Sequence, residues 1–248
     1  MKLIVTGATG FVGTEVVRLA LRNKAITAVI ALSRKQIQVP EYAGSEVDTS
    51  KLQTVILQDW TKPYSESTKE KLQGADACIW TLAVTPTKSK DVDFVEVTKI
   101  CHDYTVNGLE NMATIANKPF RFVYTSGVTV ERDQTKTLPF LGEYRLMRGR
   151  VENFVIDFAK KHEPDVQATV TKPAGIEGPG HAKNDALTSV WAQFGPLPWV
   201  HVSELAAAMI EQCLGGITND PLWSQDLAEI ASKVLKPGDY APVDGDTA

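Results

Sequence analysis

The chain has 248 residues, of which 43% are hydrophobic and 23% charged, with a formal net charge of −4 and a pI near 5.6. These values predict a soluble globular protein of one large domain with a sizeable core. They exclude the basic surface expected of a protein that binds nucleic acid or an anionic membrane, and no apolar run approaches the ~18 residues of a transmembrane helix.

Short apolar runs alternate with longer segments of helical period from the N-terminus to Pro173. This alternation predicts βαβ units, in which helices cover both faces of a parallel sheet. Because crossovers between parallel strands are right-handed, the α/β fold should be a doubly wound parallel sheet of the Rossmann type. The predicted strands are residues 2–7, 28–34, 52–58, 77–83, 120–126 and 167–173, and the predicted helices are residues 14–23, 62–73, 91–117 and 143–161.

After Pro173 the composition changes. The segment GIEGPGHAKND that follows Ala174 is rich in glycine and predicts a loop near a ligand. Residues 201–214 predict a helix with Ser203 as a candidate N-cap. The expected organisation is a dinucleotide-binding domain over 1–173, a small substrate lobe integrated with it over 174–235, and a flexible tail over 236–248.

Glycines follow the first predicted strand in the pattern TGxxGxxG, which begins at Thr6. In such a pattern the first glycine makes a tight turn, the second lets the backbone approach a pyrophosphate, and the third lets the helix lie close to the strand. The phosphates bind at the helix N-terminus, where unpaired N–H groups and the helix dipole favour an anion. The position between a strand and an amphipathic helix predicts a dinucleotide site. The residues expected to contact the cofactor here are Gly7, Thr9, Gly10, Phe11, Val12 and Gly13.

The end of the second predicted strand indicates which dinucleotide binds. A carboxylate there would bind the ribose diol of NAD, whereas a cation would receive the 2′-phosphate of NADP. The strand runs into Arg34 and Lys35 without an acidic residue, so we expect NADP rather than NAD. Asp59 and Trp60 follow the third strand, and we expect them along the adenine of the cofactor.

Cysteines and histidines do not indicate a metal or disulfide framework. The three cysteines are widely spaced, with no CxxC pair, which suits a reducing compartment. No two histidines have metal-ligand spacing. The N-terminal apolar segment is too short for a secretory signal, so the expected location is cytoplasmic.

Further motifs follow the glycine loop in chain order: NGLEN from Asn107, FVYTSGVTV from Phe122, KPAGIEGPG from Lys172 and WVHVSELAAAM from Trp199. With these motifs nearly the whole chain resembles the short-chain dehydrogenase/reductase superfamily, in the extended and atypical branch of NmrA-like and epimerase-like proteins. The resemblance supports the Rossmann fold and a nicotinamide dinucleotide cofactor. It also implies cofactor contacts from the segments after the fourth and sixth strands, namely Leu82, Ala83, Lys172 and Pro173.

That superfamily uses a tyrosine as general acid or base, a lysine four residues later, a serine or threonine, and an asparagine. Arg148 stands where the lysine is expected, and the serine position falls on Gly127. The catalytic residues implied by the resemblance are Tyr144, Arg148, Ser126 or Thr125, and Asn107.

Arginine cannot lose its proton, so Arg148 cannot serve in a proton relay, although its charge can lower the pKa of Tyr144. The helical period places both residues on the apolar face that carries Val151 and Val155. Three interpretations of the pair remain open: a solvated surface pair, an arginine that binds a phosphate or a buried carboxylate, or a cofactor-ribose ligand beside a reactive tyrosine. Gly149, a poor helix former, suggests close approach to another backbone or a ligand.

Aromatic residues Trp191, Phe194 and Trp199 lie where extended members of the superfamily place their substrate pocket. They suggest a flat, apolar substrate, although core packing is an equal alternative. His181, beside the glycine-rich loop, is a candidate substrate contact or a surface residue, and His201 is more often structural.

Three functions compete. The first is an NADP-dependent reductase of a carbonyl or imine in a small apolar metabolite. The second is a cofactor-bound epimerase, isomerase or cyclase without net redox, and the third is an NmrA-like dinucleotide sensor without catalysis. The expected partners are a small-molecule substrate and, as the resemblance implies, a second copy of the chain in a homodimer through helices 91–117 and 143–161.

Overall fold

Seven parallel strands form the central sheet of the protein. A computed structural model of the chain describes residues 1–39, 41–44, 46–181 and 198–242. In chain order, the strands are β1 Lys2–Thr6, β2 Ala28–Ser33, β3 Leu52–Ile56, β4 Ala77–Trp80, β5 Phe120–Thr125, β6 Val166–Lys172, β7 Gly175–Glu177, β8 Trp199–His201 and β9 Leu222–Trp223. The central sheet has the strand order β3-β2-β1-β4-β5-β6-β9, and β7 and β8 form a separate parallel pair. The doubly wound sheet predicted from the sequence is confirmed.

Helices cover both faces of this sheet. One face carries α1 (Phe11–Arg22), α6 (Val202–Gly215) and α7 (Ser224–Ser232). The other carries α2 (Glu66–Leu72), α3 (Phe94–Thr98), α4 (Tyr104–Ile115) and α5 (Gly142–Lys161). Short 3₁₀ turns lie at Glu41–Ala43, Thr49–Lys51, Lys88–Asp91 and Pro237–Asp239.

The strand β1 shows why the sequence requires two covered faces. Leu3 and Val5 pack into the cluster beneath α1 and α6, whereas Ile4 packs into the cluster beneath α4 and α5. Because successive side chains of a strand point to opposite faces, an uninterrupted apolar strand is stable only when both faces are buried.

Capping groups determine where the helices begin, so several helix boundaries differ from the predicted ones. α2 begins at Glu66, because the Ser65 hydroxyl accepts from the backbone N–H of Thr68. α3 begins after Asp93, whose carboxylate accepts from the N–H of Val95. The predicted helix 91–117 is also divided, since a π-helical turn at Lys99–Asp103 separates α3 from α4.

Residues 174–235 contribute to both sheets. β9 pairs with the end of β6, and α6 packs beside α1, so much of this predicted lobe completes the main body. Residues 236–242, the first part of the tail predicted to be flexible, contact the main body of the protein. The carbonyl of Asp239 accepts from Arg18, and the N–H of Ala241 donates to the Ser203 hydroxyl at 2.9 Å.

In the part of the chain that the structure describes, no helix combines the length and apolar character needed to cross a membrane.

Candidate functional site

The glycine loop between β1 and α1 is packed too tightly for side chains at two of its glycines. Gly7 has φ of +67°, and a Cβ there would lie 2.6 Å from the hydroxyl oxygen of Thr81. A Cβ on Gly13 would lie 2.3 Å from the carbonyl oxygen of Gly7. At Gly10 an added Cβ would meet only the Gly7 carbonyl, at 3.2 Å, and Gly10 and Thr9 are exposed. The side of the loop at Gly7 and Gly13 is therefore closely packed, whereas the side at Thr9 and Gly10 is open to solvent.

The N-terminus of α1 provides an anion site at this open side. Gly10 occupies the N-cap position and has no side chain to cap the first-turn N–H groups, and the first turn has no acidic residue. Among the described residues nothing pairs with these N–H groups, so they and the positive end of the helix dipole lie free beside the loop. This arrangement fits the pyrophosphate of a dinucleotide. The residues that would hold it are Thr9, Gly10, Phe11, Val12 and Gly13.

The residues predicted to contact the adenosine half divide into exposed and buried ones. Arg34 and Lys35 are exposed directly after β2. Asp59 is also exposed, and hydrogen bonds from Thr61 lower the pKa of its carboxyl to about 2. Trp60, by contrast, is only 3% exposed and packs against Trp80. The expectation that the Trp60 side chain lies along the adenine does not fit this burial.

Leu82 and Ala83 follow β4 and are half-buried, at the carboxyl edge of the sheet where the glycine loop also lies. Pro173 follows β6 at the same edge, and its carbonyl accepts from the N–H of Val128 at 3.0 Å. Lys172 is 4% exposed, with its ammonium directed inside the protein. Lys172 is thus not available to a cofactor in this arrangement.

Tyr144 and Arg148 are brought together inside the protein by α5. The guanidinium Nη1 donates to the Tyr144 hydroxyl oxygen at 3.1 Å, Nε donates to the Tyr124 hydroxyl at 2.9 Å, and Nη2 donates to the carbonyl of Thr125 at 2.8 Å. Tyr144 is 5% exposed and Arg148 is 4% exposed. The interpretation as a solvated surface pair is therefore wrong. Within the described residues Arg148 has neutral partners and no carboxylate.

The Tyr144 hydroxyl lies at the carboxyl edge of β4. It donates to the carbonyl of Val84 at 2.8 Å while it accepts from Arg148. Burial raises the pKa of Tyr144, and the charge of Arg148 opposes that rise without cancelling it. Tyr144 is thus a neutral phenol at physiological pH, held beside a fixed cation.

The other candidate catalytic groups bind within the protein. The Ser126 hydroxyl donates to a carboxylate oxygen of Glu152 at 2.5 Å, and the Thr125 hydroxyl donates to the sulfur of Met209 at 3.3 Å. The Asn107 amide donates to the carbonyls of Trp60 and Lys62, at 2.9 and 2.8 Å. Asn107 therefore fastens the loop after β3 to α4, and the structure does not bring it to Tyr144.

A buried charge network lies beside this site. Glu152 is fully buried, and one of its carboxylate oxygens accepts from Arg132 at 2.7 Å and from Lys172 at 3.1 Å. Arg132 also bonds both oxygens of Asp220, at 2.8 and 3.2 Å. The sequence did not indicate Glu152, Arg132 or Asp220 as members of the site. The available signal was a lysine at the end of an apolar strand, since a buried lysine requires a partner.

Helix α5 also touches the segment that carries Arg132. A Cβ added to Gly149 would lie 1.7 Å from the carbonyl oxygen of Glu131. The close approach suggested by Gly149 is therefore to backbone.

The predicted substrate region is described only in part. Trp191 and Phe194 lie outside the described residues. Trp199 packs against Gly175, where a Cβ would lie 2.4 Å from its indole ring. His201 is buried and accepts the N–H of Ser203 at the start of α6. In the described part of the chain, no three His, Cys, Asp or Glu residues are grouped as metal ligands.

The parallel sheet, the glycine loop and the uncapped α1 N-terminus define a Rossmann-type dinucleotide-binding protein. The profile of the NAD dependent epimerase/dehydratase family matches residues 3–195, and the chain belongs to this family of NAD(P)-binding proteins. This membership confirms the resemblance to the extended short-chain dehydrogenases and reductases.

The similarity to individual proteins is partial in length or low in sequence identity. Leucinostatins biosynthesis cluster protein T of Purpureocillium lilacinum is 35% identical over an alignment of 131 positions, which covers 51% of this chain and 42% of that protein. The chain thus matches less than half the length of that relative. Two solved structures share the fold. Gre2 of Candida albicans in complex with NADPH is 19% identical, with a TM-score of 0.62, covering 98% of this chain and 86% of that one. The dTDP-glucose 4,6-dehydratase DesIV of Streptomyces venezuelae with NAD is 18% identical, with a TM-score of 0.64, covering 94% and 80%.

Proposed function

We propose that the protein is an NADP(H)-dependent reductase of a carbonyl or imine group in a small apolar metabolite. The observation that carries this proposal is the hydrogen bond from Arg148 to the Tyr144 hydroxyl, at the carboxyl edge beside the glycine loop. When bound, the nicotinamide cofactor supplies a hydride. The role of Tyr144 is to donate its proton to the oxygen or nitrogen of the substrate, and the positive charge of Arg148 stabilises the phenolate that remains.

Tyr144 is protonated at neutral pH, because burial raises its pKa. A reductase needs the phenol in its protonated form, which burial favours. An alcohol oxidation, or an epimerase that begins with one, would need the phenolate as a base. The protonated state of Tyr144 is thus consistent with the proposed reductase.

The preference for NADP rests on the end of β2. Arg34 and Lys35 are exposed at the place where the adenosine ribose binds in this fold. Arg34→Ala combined with Lys35→Ala should reduce the preference for NADPH over NADH by about 10–100-fold, because two cations that face the 2′-phosphate are lost. Lys24→Ala, at an exposed position after α1, is the control and should leave the ratio of the two dissociation constants unchanged.

The activity is tested by mixing the protein with NADPH and a panel of aromatic ketones, aldehydes and cyclic imines, and following the loss of reduced-cofactor absorbance. Turnover by the wild type, with at least about 100-fold loss in Tyr144→Phe, is the expected result. Tyr104→Phe, which alters a half-buried tyrosine of α4, is the control and should retain turnover. Equal activity of Tyr144→Phe and the wild type would exclude Tyr144 as the proton donor.

A second function, a dinucleotide-binding regulatory protein without catalysis, is favoured by one observation. The proton of the Tyr144 hydroxyl is already donated to the carbonyl of Val84. For catalysis that bond has to break, whereas a sensor could keep it. Tight NADPH binding without turnover of any compound in the panel, unchanged in Tyr144→Phe, would support this function.

We also propose a homodimer that forms through residues 91–117 and 143–161. Val95 of α3 is 76% exposed, and Phe154 and Phe158 of α5 lie side by side, with ring centroids 5.9 Å apart. Light scattering over a range of protein concentrations should give twice the chain mass. Val95→Glu should shift the population towards monomer.

A further inference from the structure

The loop after β7 places a histidine against the first residue of α1, beside the glycine loop. The imidazole of His181 stacks on the ring of Phe11 with centroids 3.9 Å apart and an interplanar angle of 15°. Phe11 is the first residue of α1 and follows Gly10 directly. A residue from the C-terminal half of the chain thus lies against the proposed pyrophosphate site.

The backbone fixes this contact from both sides. The N–H of Gly178 donates to the carbonyl of His181 at 3.0 Å, and the N–H of His181 donates to the carbonyl of Gly178 at 2.8 Å. A Cβ on Gly178 would lie 2.6 Å from Val202 and 3.1 Å from the Phe11 ring. The position of His181 is therefore set by the loop as well as by the stacking.

One nitrogen of His181 is engaged in a hydrogen bond, and the other has no hydrogen-bond partner among the described residues. A carbonyl oxygen only accepts, so the Nδ1–H of His181 donates to the carbonyl of Pro179, at 3.1 Å. In the neutral ring this leaves Nε2 as an acceptor, on an exposed side chain. An acceptor is suited to a hydroxyl group rather than to a phosphate.

The topology indicates which half of the dinucleotide lies nearby. In a doubly wound sheet the adenosine half lies over β1 to β3, and the other half lies over the strands beyond the β1–β4 switch point. The segment 178–181 follows β6 and β7 and belongs to the second side. There the guanidinium of Arg148 is occupied by Tyr124, Tyr144 and Thr125.

We propose that His181 is a cofactor-binding residue, whose Nε2 accepts a hydrogen bond from a ribose hydroxyl in the nicotinamide half of NADP(H). This role rests on the proposed cofactor site and deepens it. The polar contact to that ribose is thereby provided by the loop after β7 instead of by α5.

The test compares two ligands on the intact protein, by fluorescence titration. NADPH carries the nicotinamide half, whereas adenosine 2′,5′-bisphosphate lacks it. His181→Ala and His181→Phe should each weaken NADPH binding about 10-fold, the worth of one hydrogen bond, and leave the bisphosphate unaffected. His162→Ala is the matched control, because His162 also stacks on a phenylalanine and donates from Nδ1 to a carbonyl, but at the far end of α5. It should change neither affinity.

Several outcomes would overturn the role of His181. Wild-type affinity in His181→Phe would show that stacking suffices and that Nε2 binds nothing. Equal weakening of both ligands in His181→Ala would indicate a general disturbance of the loop. Unchanged NADPH binding in His181→Ala removes this role alone, whereas a wild-type protein that does not bind NADPH also overturns the proposed function.

Discussion

Arg148 donates a hydrogen bond to the hydroxyl of Tyr144, one helical turn earlier on α5, at a distance of 3.1 Å. Both side chains are buried, so the phenol is paired with a cation that cannot pass on a proton. A lysine in this position could both carry charge and exchange its proton. Arg148 carries the positive charge but does not exchange its proton.

Two substitutions of Arg148 distinguish the effect of its charge from the effect of its three hydrogen bonds. Arg148→Lys keeps the charge but cannot reach Tyr124, Tyr144 and Thr125 together. It should lower the free energy of unfolding by about 1–3 kcal/mol and retain part of the reductase activity. Arg148→Met removes the charge and should lower turnover by roughly 100-fold. Denaturant unfolding and steady-state kinetics measure the two effects, with Arg150→Lys at an exposed position of α5 as the control. Full activity in Arg148→Met would contradict the role of the charge.

The pH dependence of activity follows from the state of Tyr144. Its folded-state pKa is raised above the ordinary tyrosine value of about 10, chiefly by burial. Reduction uses the protonated phenol, so this group should impose no loss of kcat/KM between neutral pH and about pH 10. Oxidation of the product alcohol by NADP⁺ uses the phenolate and should accelerate as pH rises. A pH–rate profile with an alkaline limb centred near neutrality would be incompatible with Tyr144 as the acid.

Glu152 should be essential to stability. Glu152→Ala leaves the ammonium of Lys172 buried without its carboxylate, which should cost about 3–5 kcal/mol in urea unfolding. The double variant Glu152→Met with Lys172→Met removes both charges and should recover a large part of that loss. Glu143→Ala, at an exposed position of the same helix, should change stability by no more than about 0.5 kcal/mol. A double variant less stable than Glu152→Ala would rule out the ion pair as the cause.

Two glycines of the β1–α1 loop should respond differently to alanine. A Cβ at Gly10 has room and projects on the open side, so Gly10→Ala should weaken NADPH binding at least about 10-fold with a stability loss near 1 kcal/mol or less. Gly13→Ala pushes a Cβ into the Gly7 carbonyl and should destabilise the fold by about 1–3 kcal/mol. Thermal unfolding and cofactor titration of both variants provide the comparison. Similar stability losses in the two variants would show that Gly10 is structural.

The sequence predicted the parts of the protein that depend on local pattern. Apolar runs identified the strands β1 to β6, because a strand covered on both faces has to be apolar throughout. The helical period of α5 correctly placed Tyr144 and Arg148 on the buried face.

Contacts between distant segments were not predictable in the same way. The partners of Arg148 on β5 precede it by 23 and 24 residues, and Glu152 meets Arg132 and Lys172 from two other segments. No local periodicity encodes such pairings. Trp60 shows a related error: its place after a strand suggested a ligand contact, but Trp80 and Tyr104 supply enough ring surface to bury it.

The backbone contact between Gly149 and Glu131 determines which part of the site can open. With no side chain between them, α5 and the segment around Glu131 have no clearance to slide past each other. A shift of α5 that released the Tyr144 hydroxyl would have to separate these two closely packed backbones. The other partner of the Tyr144 hydroxyl is the carbonyl of Val84. Val84 is half-buried and lies outside any helix or strand. A displacement of that short segment would free the phenol for a ligand while α5 stays in place.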